Sequence, residues 1–363
     1  MVKINALDAK TKPNKIFFVD FLKAISITAV VSYHSIFVPI YPDESSYMIL
    51  DVLFAPLRFC VPVLLTLSFL LSERGFAKKP HQSITSSLRK RLTRLSIPTL
   101  FWVIVASSLK LLTGNSLTDI VPQILQGEIF TGFYYLLVIF QLTILFFFIR
   151  RLTINKNNLS GLIGLQAIIF LLIQLALCSE QYSGVTLVLR SIDRPLIIYW
   201  FIYLILGIFI YRNLNYLSYL SEKINLLVKL LLILIYAFAC FLENGWLFKI
   251  TEGDIPPFDY VMLSCLLSVP VIFICCVNLT EEQFAPKLNA AISLLSKYSL
   301  GIFCFNGIIS QVFLSFGTKL FSETIFNFPE LLIMKLLGWI GLLAISLGLS
   351  MLFNRLGLKN VVC

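Results

Sequence analysis

Three ionisable side chains sit inside one apolar run. Residues 16–38 read IFFVDFLKAISITAVVSYHSIFV and contain Asp20, Lys23 and His34. The run is long enough to cross a bilayer, which takes about 20 helical residues. Ionisable groups are costly there, so each is a candidate functional residue with a partner to be found. Lys23 and His34 are eleven positions apart, and on a helix they share one face about 16 Å apart along the axis. Asp20, three positions before Lys23, lies on the same side. An imidazole can exchange a proton near neutral pH, and an ammonium can neutralise an anion. Plainer roles fit the same residues. Asp20 and Lys23 could form a helix-end ion pair with Lys23 snorkelling to the headgroups, and His34 could be a satisfied histidine near the far interface.

The elements that must position these groups follow from composition. The chain has 363 residues, 58% hydrophobic and 13% charged, with a mean hydropathy of +0.89. Soluble domains are nearer half apolar and a quarter charged. Continuous apolar runs, without alternation, imply helices and exclude a barrel. The expected architecture is an all-α integral membrane protein of ten spans, near 16–38, 48–72, 97–114, 132–150, 159–178, 195–212, 224–242, 258–279, 298–317 and 330–354. Residues 1–15 read as a disordered cytoplasmic arm, 16–354 as the membrane domain and 355–363 as a cytoplasmic tail.

The net charge of +10 does not point to nucleic acid, because the basic residues gather at span ends. With the N-terminus inside, 21 Lys and Arg fall on the cytoplasmic side and seven on the other, leaving Lys23 within a span. Both termini are then cytoplasmic, in the inner (plasma) membrane. The bilayer is the first partner, and a homo-oligomer is left open. The eight cysteines have neither CxxC nor metal-ligand spacing and read as small buried hydrophobes, so no metal and no disulfide framework is expected. No dinucleotide, phosphate-loop or nucleophile-elbow motif occurs. Trp200, Tyr203 and Gly207 read as packing residues, Tyr134 and Tyr135 as interface anchors, and Gln141 and Gln174 as interhelical amides. His81, in a basic loop, is assigned nothing.

Four patterns in order resemble the acyltransferase-3 family of multipass membrane acyltransferases. Asp20, Lys23 and His34 match the family's opening Asp, Arg and His, with Lys for Arg. Residues 58–72, RFCVPVLLTLSFLLS, match its second helix, with Ser68 on the family's Ser and Phe69 in place of a Gly. Residues 88–102, LRKRLTRLSIPTLFW, match its basic run, proline and aromatic. Residues 294–306, LLSKYSLGIFCFN, match its ninth helix, with Asn306 where a His is common.

The resemblance implies transfer of an acyl group, usually acetyl, from cytoplasmic acyl-CoA to a hydroxyl of a cell-surface carbohydrate or lipid-linked glycan. Acyl-CoA is then the donor substrate. His34 is the expected general base, with Lys23 neutralising the donor or a developing oxyanion and Asp20 beside it. Arg89, Arg91, Arg94 and Ser68 are expected on the donor, although SLRKRLTR fits a plain positive-inside anchor equally well. Arg58 and Asn306 are expected on the acceptor side. Asp193, Arg194 and the loop 243–259 could face an acceptor but also read as ordinary loop groups. A glycan transporter is the competing class, disfavoured because intraspan charge is concentrated in the first span. A member that keeps the fold and has lost the chemistry is the third. A reporter active only in the cytoplasm, fused after Cys363, is expected to be active; inactivity there overturns the orientation.

Overall fold

The structure is a computed structural model and describes residues 16–38, 45–79, 83–151, 155–179, 183–322 and 324–363. The proposed arm 1–15 and His81 lie outside the described residues. Everything regular among them is helical. The order is α1 (Phe17–Tyr33), α2 (Ser45–Phe54), α3 (Cys60–Ala77), α4 (Ile84–Leu112), α5 (Leu117–Gln126), α6 (Tyr134–Ile149), α7 (Lys156–Leu177) and α8 (Ser183–Ile192). There follow α9 (Phe201–Arg212), α10 (Leu214–Lys223), α11 (Leu226–Ile250), α12 (Leu263–Cys276), α13 (Pro286–Lys297), α14 (Ser299–Leu320), α15 (Phe328–Arg355) and the short α16 (Lys359–Val362).

Polar caps mark where apolar runs begin. Asn155 and Asn225 accept from the backbone N–H three residues on, opening α7 and α11. Asn327 and Glu330 form a capping box at α15, as Ser116 and Asp119 do at α5. α1 lies at the centre, packed against α3, α13, α14 and α15, while α3 runs along α9. The periphery is apolar and open. The membrane-length window of α11 is only 11% buried, against 56% for α14. Leu226, Leu230, Leu234 and Phe238 of α11 face outward, a surface suited to hydrocarbon and not to water.

Each of the ten expected spans carries helix. Among the described residues, six helical stretches are long and apolar enough to cross a membrane, 46–77 through α2 and α3 being one, or seven if α9 and α10, bent by 83°, are one span. Two of the expected stretches are shortened by proline. Pro195 precedes a 3-10 turn (Ile197–Tyr199), and Pro256 and Pro257 precede another (Phe258–Tyr260), so α9 and α12 begin late.

Carboxylates, buried at Glu73 and half-buried at Glu243, tie the bundle at both ends. Glu73 of α3 accepts from Arg150 after α6 and Arg212 of α9, with closest contacts of 3.2 and 2.9 Å. Glu243 of α11 accepts from Gln174 of α7 and from the Leu263 and Ser264 N–H groups at the start of α12. Charge within the bundle is therefore not concentrated in α1, contrary to the sequence expectation; the pairs form between helices far apart in sequence. Gln174 is an interhelical amide as expected, whereas Gln141 is exposed.

The α3–α9 contact depends on Gly207. A Cβ there would lie 2.6 Å from the Thr66 carbonyl oxygen and 2.9 Å from Phe69 Cβ. Gly207→Ala is expected to destabilise the protein by about 1–3 kcal/mol through overpacking. An unchanged melting temperature of the purified variant would overturn this.

Candidate active site

Two cavities open towards opposite ends of the bundle, with α1 contributing a side chain to each. The larger, about 810 Å³, lies where α4 approaches α3. Six cations line it: Lys23, Lys79, Lys90, Arg91, Arg94 and Lys359, with no Asp or Glu side chain among the described lining residues. Arg91 is held from three sides. Its Nε donates to Thr143 Oγ1 at 3.2 Å and an Nη to Ser68 Oγ at 3.0 Å, while the guanidinium lies over the Phe69 ring. Helical periodicity puts Ser87, Arg91, Arg94 and Pro98 on the cavity face of α4. Arg89, about half a turn round from Arg91, is exposed and outside the lining.

The smaller cavity, about 230 Å³, is lined by His34, Tyr33, Arg58, Tyr134, Arg194 and Lys335, among others. Its charged wall is densely paired. Arg58 donates to Asp51 at 3.1 Å and Asp259 at 2.9 Å; Arg194 donates to both oxygens of Asp259 at 3.1 and 3.0 Å. Asn244 adds a bond to Asp51, and Tyr33 sends its hydroxyl to the Phe54 carbonyl. Such forked contacts fix the guanidiniums in place. Asp193 points elsewhere and is not in the lining; burial pushes its carboxyl up to about 6, with Arg194 opposing the rise.

His34 caps the C-terminal end of α1. Its Nδ1 lies 2.5 Å from Asn306 Oδ1. The Asn306 amide N–H₂ donates to the carbonyls of Ile302 and Phe303, at 3.0 and 2.7 Å, so its oxygen must face the imidazole. Nδ1 therefore carries the proton, and Nε2 keeps its lone pair. Gly132, at φ +89°, lies against this ring: a Cβ there would be 3.2 Å from Phe303 Cζ and 3.5 Å from His34 Cε1. Phe303 pairs with Tyr135, which lines the basic cavity, at 5.2 Å between ring centroids. One aromatic layer thus stands between His34 and the cationic cavity.

A family model described as an acyltransferase domain matches residues 16–355. The chain belongs to the acyltransferase-3 family. No curated protein and no solved structure matches it. Family and fold together make it a multi-pass membrane protein of a membrane acyltransferase family.

Against the family pattern, the three departures have local structural answers. Phe69 forgoes the glycine that would let helices approach, and Gly207 of α9 supplies that approach from the facing side. Lys23 lines the basic cavity and makes no hydrogen bond or ion pair among the described residues. Asn306 stands behind His34 and accepts its proton-bearing nitrogen.

The expected residues divide by place. Lys23, Ser68, Arg91 and Arg94 meet at the basic cavity, His34 and Arg58 at the other, with Asn306 behind. Asp20 lines neither cavity. Its carboxylate accepts from Ser296 Oγ at 2.6 Å, joining α1 to α13. Asp51 and Lys335 carry no role in the sequence expectation, Asp259 enters it only as the end of the loop 243–259, and Tyr134 and Arg194 carry plainer roles. Their only signal in the sequence is charge or an aromatic ring near a span end, which ordinary loops share. Asn306→Leu would strand the His34 N–H in a buried site, costing about 1–3 kcal/mol. Purified Asn306→Leu should unfold at lower temperature, with Asn306→Gln milder; no loss for Leu would overturn the assigned bond.

Proposed function

We propose that this protein is a membrane-bound O-acyltransferase. It moves an acyl group, acetyl in the simplest case, from acyl-CoA in the basic cavity to a hydroxyl of a cell-surface carbohydrate or lipid-linked glycan in the His34 cavity. The observation that carries this reading is the free Nε2 of His34, one aromatic layer from a cavity lined by six cations. The orientation proposed is ten spans with both termini cytoplasmic, so that the basic cavity opens to the compartment holding acyl-CoA.

Donor phosphates carry several negative charges, and Arg91, Arg94, Lys90 and Lys359 offer charge-assisted contacts with no Asp or Glu side chain among the described lining residues. Lys23 sits with them, about 16 Å along α1 from His34. At that distance it contacts the donor and does not stabilise the oxyanion. The acyl-bearing arm reaches His34 by displacing the Tyr135–Phe303 pair. Nε2 then takes the acceptor hydroxyl proton as the oxygen attacks the thioester carbonyl. The tetrahedral intermediate expels the coenzyme A thiolate, which receives that proton from the imidazolium. The ester forms, the thioester breaks, and His34 returns to its starting tautomer, which the Asn306 bond maintains throughout.

A glycan transporter is the second reading. Paired charges at the Arg58–Asp259–Arg194 wall and the break between α9 and α10 favour it. Coenzyme A release by purified protein, scanned over candidate glycans, separates the two, because a transporter or an inactive scaffold releases none. With an accepted glycan, His34→Ala should lose about 10²–10⁴ in kcat. Arg91→Ala should mainly raise KM for the donor. Full activity in His34→Ala would end the catalytic assignment.

A further inference from the structure

We infer that the acceptor carries an anionic group, a carboxylate or a phosphate, and that Lys335 receives it in the His34 cavity. The inference rests on reading that cavity as the acceptor site. Lys335 is only 4% exposed and lies in the cavity wall. The lining holds two carboxylates, Asp51 and Asp259, and three permanent or ammonium cations, Arg58, Arg194 and Lys335. Both carboxylates are taken by the guanidiniums, at 2.9 to 3.1 Å. Among the described residues no carboxylate lies within ion-pairing distance of Lys335, so the wall keeps one unmatched positive charge.

Among the described residues that charge has one hydrogen-bond partner. Lys335 Nζ donates to the Ser32 carbonyl at 2.7 Å, in the last turn of α1. The contact joins α15 to the helix that ends in His34, and the C-terminal dipole of α1 offers about half a negative charge. An ammonium has three N–H donors, and two remain unspent among the described residues. The flanking groups are the rings of Phe54, 4.5 Å away, and Tyr33, 5.9 Å away. Capping α1 spends one of the three donors and answers only part of the charge, while an unpaired buried ion costs several kcal/mol. An anion entering the cavity offsets that cost and spends those donors. Because Lys335 and His34 share the wall, the anion also sets which hydroxyl of the acceptor meets Nε2.

Three probes with one common ring test this: D-glucuronate, D-glucose 6-phosphate and neutral D-glucose. Binding is measured by calorimetry on the purified full-length protein in lipid nanodiscs. The wild type should prefer an anionic probe over glucose by at least about tenfold, the worth of one charge-assisted hydrogen bond. Lys335→Gln should bring that ratio near one, and Lys335→Arg should keep it. Arg91→Gln, which weakens the basic cavity, should leave the Lys335-dependent preference intact. Whichever anionic probe binds more tightly identifies carboxylate or phosphate as the source. Equal binding of all three to the wild type overturns the proposal, as does a preference that survives Lys335→Gln. Coenzyme A binding by the same samples separates the readings. Normal coenzyme A binding without anion preference sinks the Lys335 site alone. Anion preference without coenzyme A binding sinks acyl transfer and leaves the site standing.

Discussion

A charge enclosed in a bundle that faces lipid costs several kcal/mol unless another group answers it. This constraint orders the whole interior. Glu73 is answered by Arg150 and Arg212, Asp51 and Asp259 by Arg58 and Arg194, and Glu243 by Gln174 and the N-terminal amides of α12. Apart from Asp51 with Arg58, seven positions apart, and Glu243 with the start of the next helix, these matches join segments distant in sequence, so contacts that neutralise charge also set which segments are neighbours. Charges left over appear where there is room for something else: six cations around the larger cavity and Lys335 in the smaller.

The His34 tautomer shows the same economy at a single atom. Asn306 gives its two N–H groups to carbonyls of its own helix, which leaves only an acceptor for the imidazole. A histidine at that position could take either part in the bond, depending on its own protonation. An amide cannot titrate, so it holds one tautomer across the working pH range. The replacement of a common family residue is thus compatible with a base at position 34.

Much of the architecture was legible in the sequence because hydropathy acts over whole helices. The apolar stretches and a basic run between the second and third follow from composition along the chain, whereas the central place of the first helix came from packing. That Ser68, Arg91 and Arg94 lie together was likewise legible, through the resemblance and the basic run. Arg89 was not separable from them, since a run of basic residues does not say where the cavity face of its helix lies. Asp20 beside Lys23 suggested a pair, yet Ser296, almost three hundred positions away, takes the carboxylate.

By itself the sequence determined an all-helical membrane protein, its family, and a histidine and a lysine on the first span. Those properties depend on hydropathy and on spacing within one helix. Only the tertiary structure decided that His34 and Lys23 line different cavities, that Asn306 meets the imidazole, and that Lys335 shares the His34 cavity with no carboxylate partner among the described residues. The reason is physical. Which charge meets which depends on how helices rotate and cross, and that is settled by packing among side chains far apart along the chain.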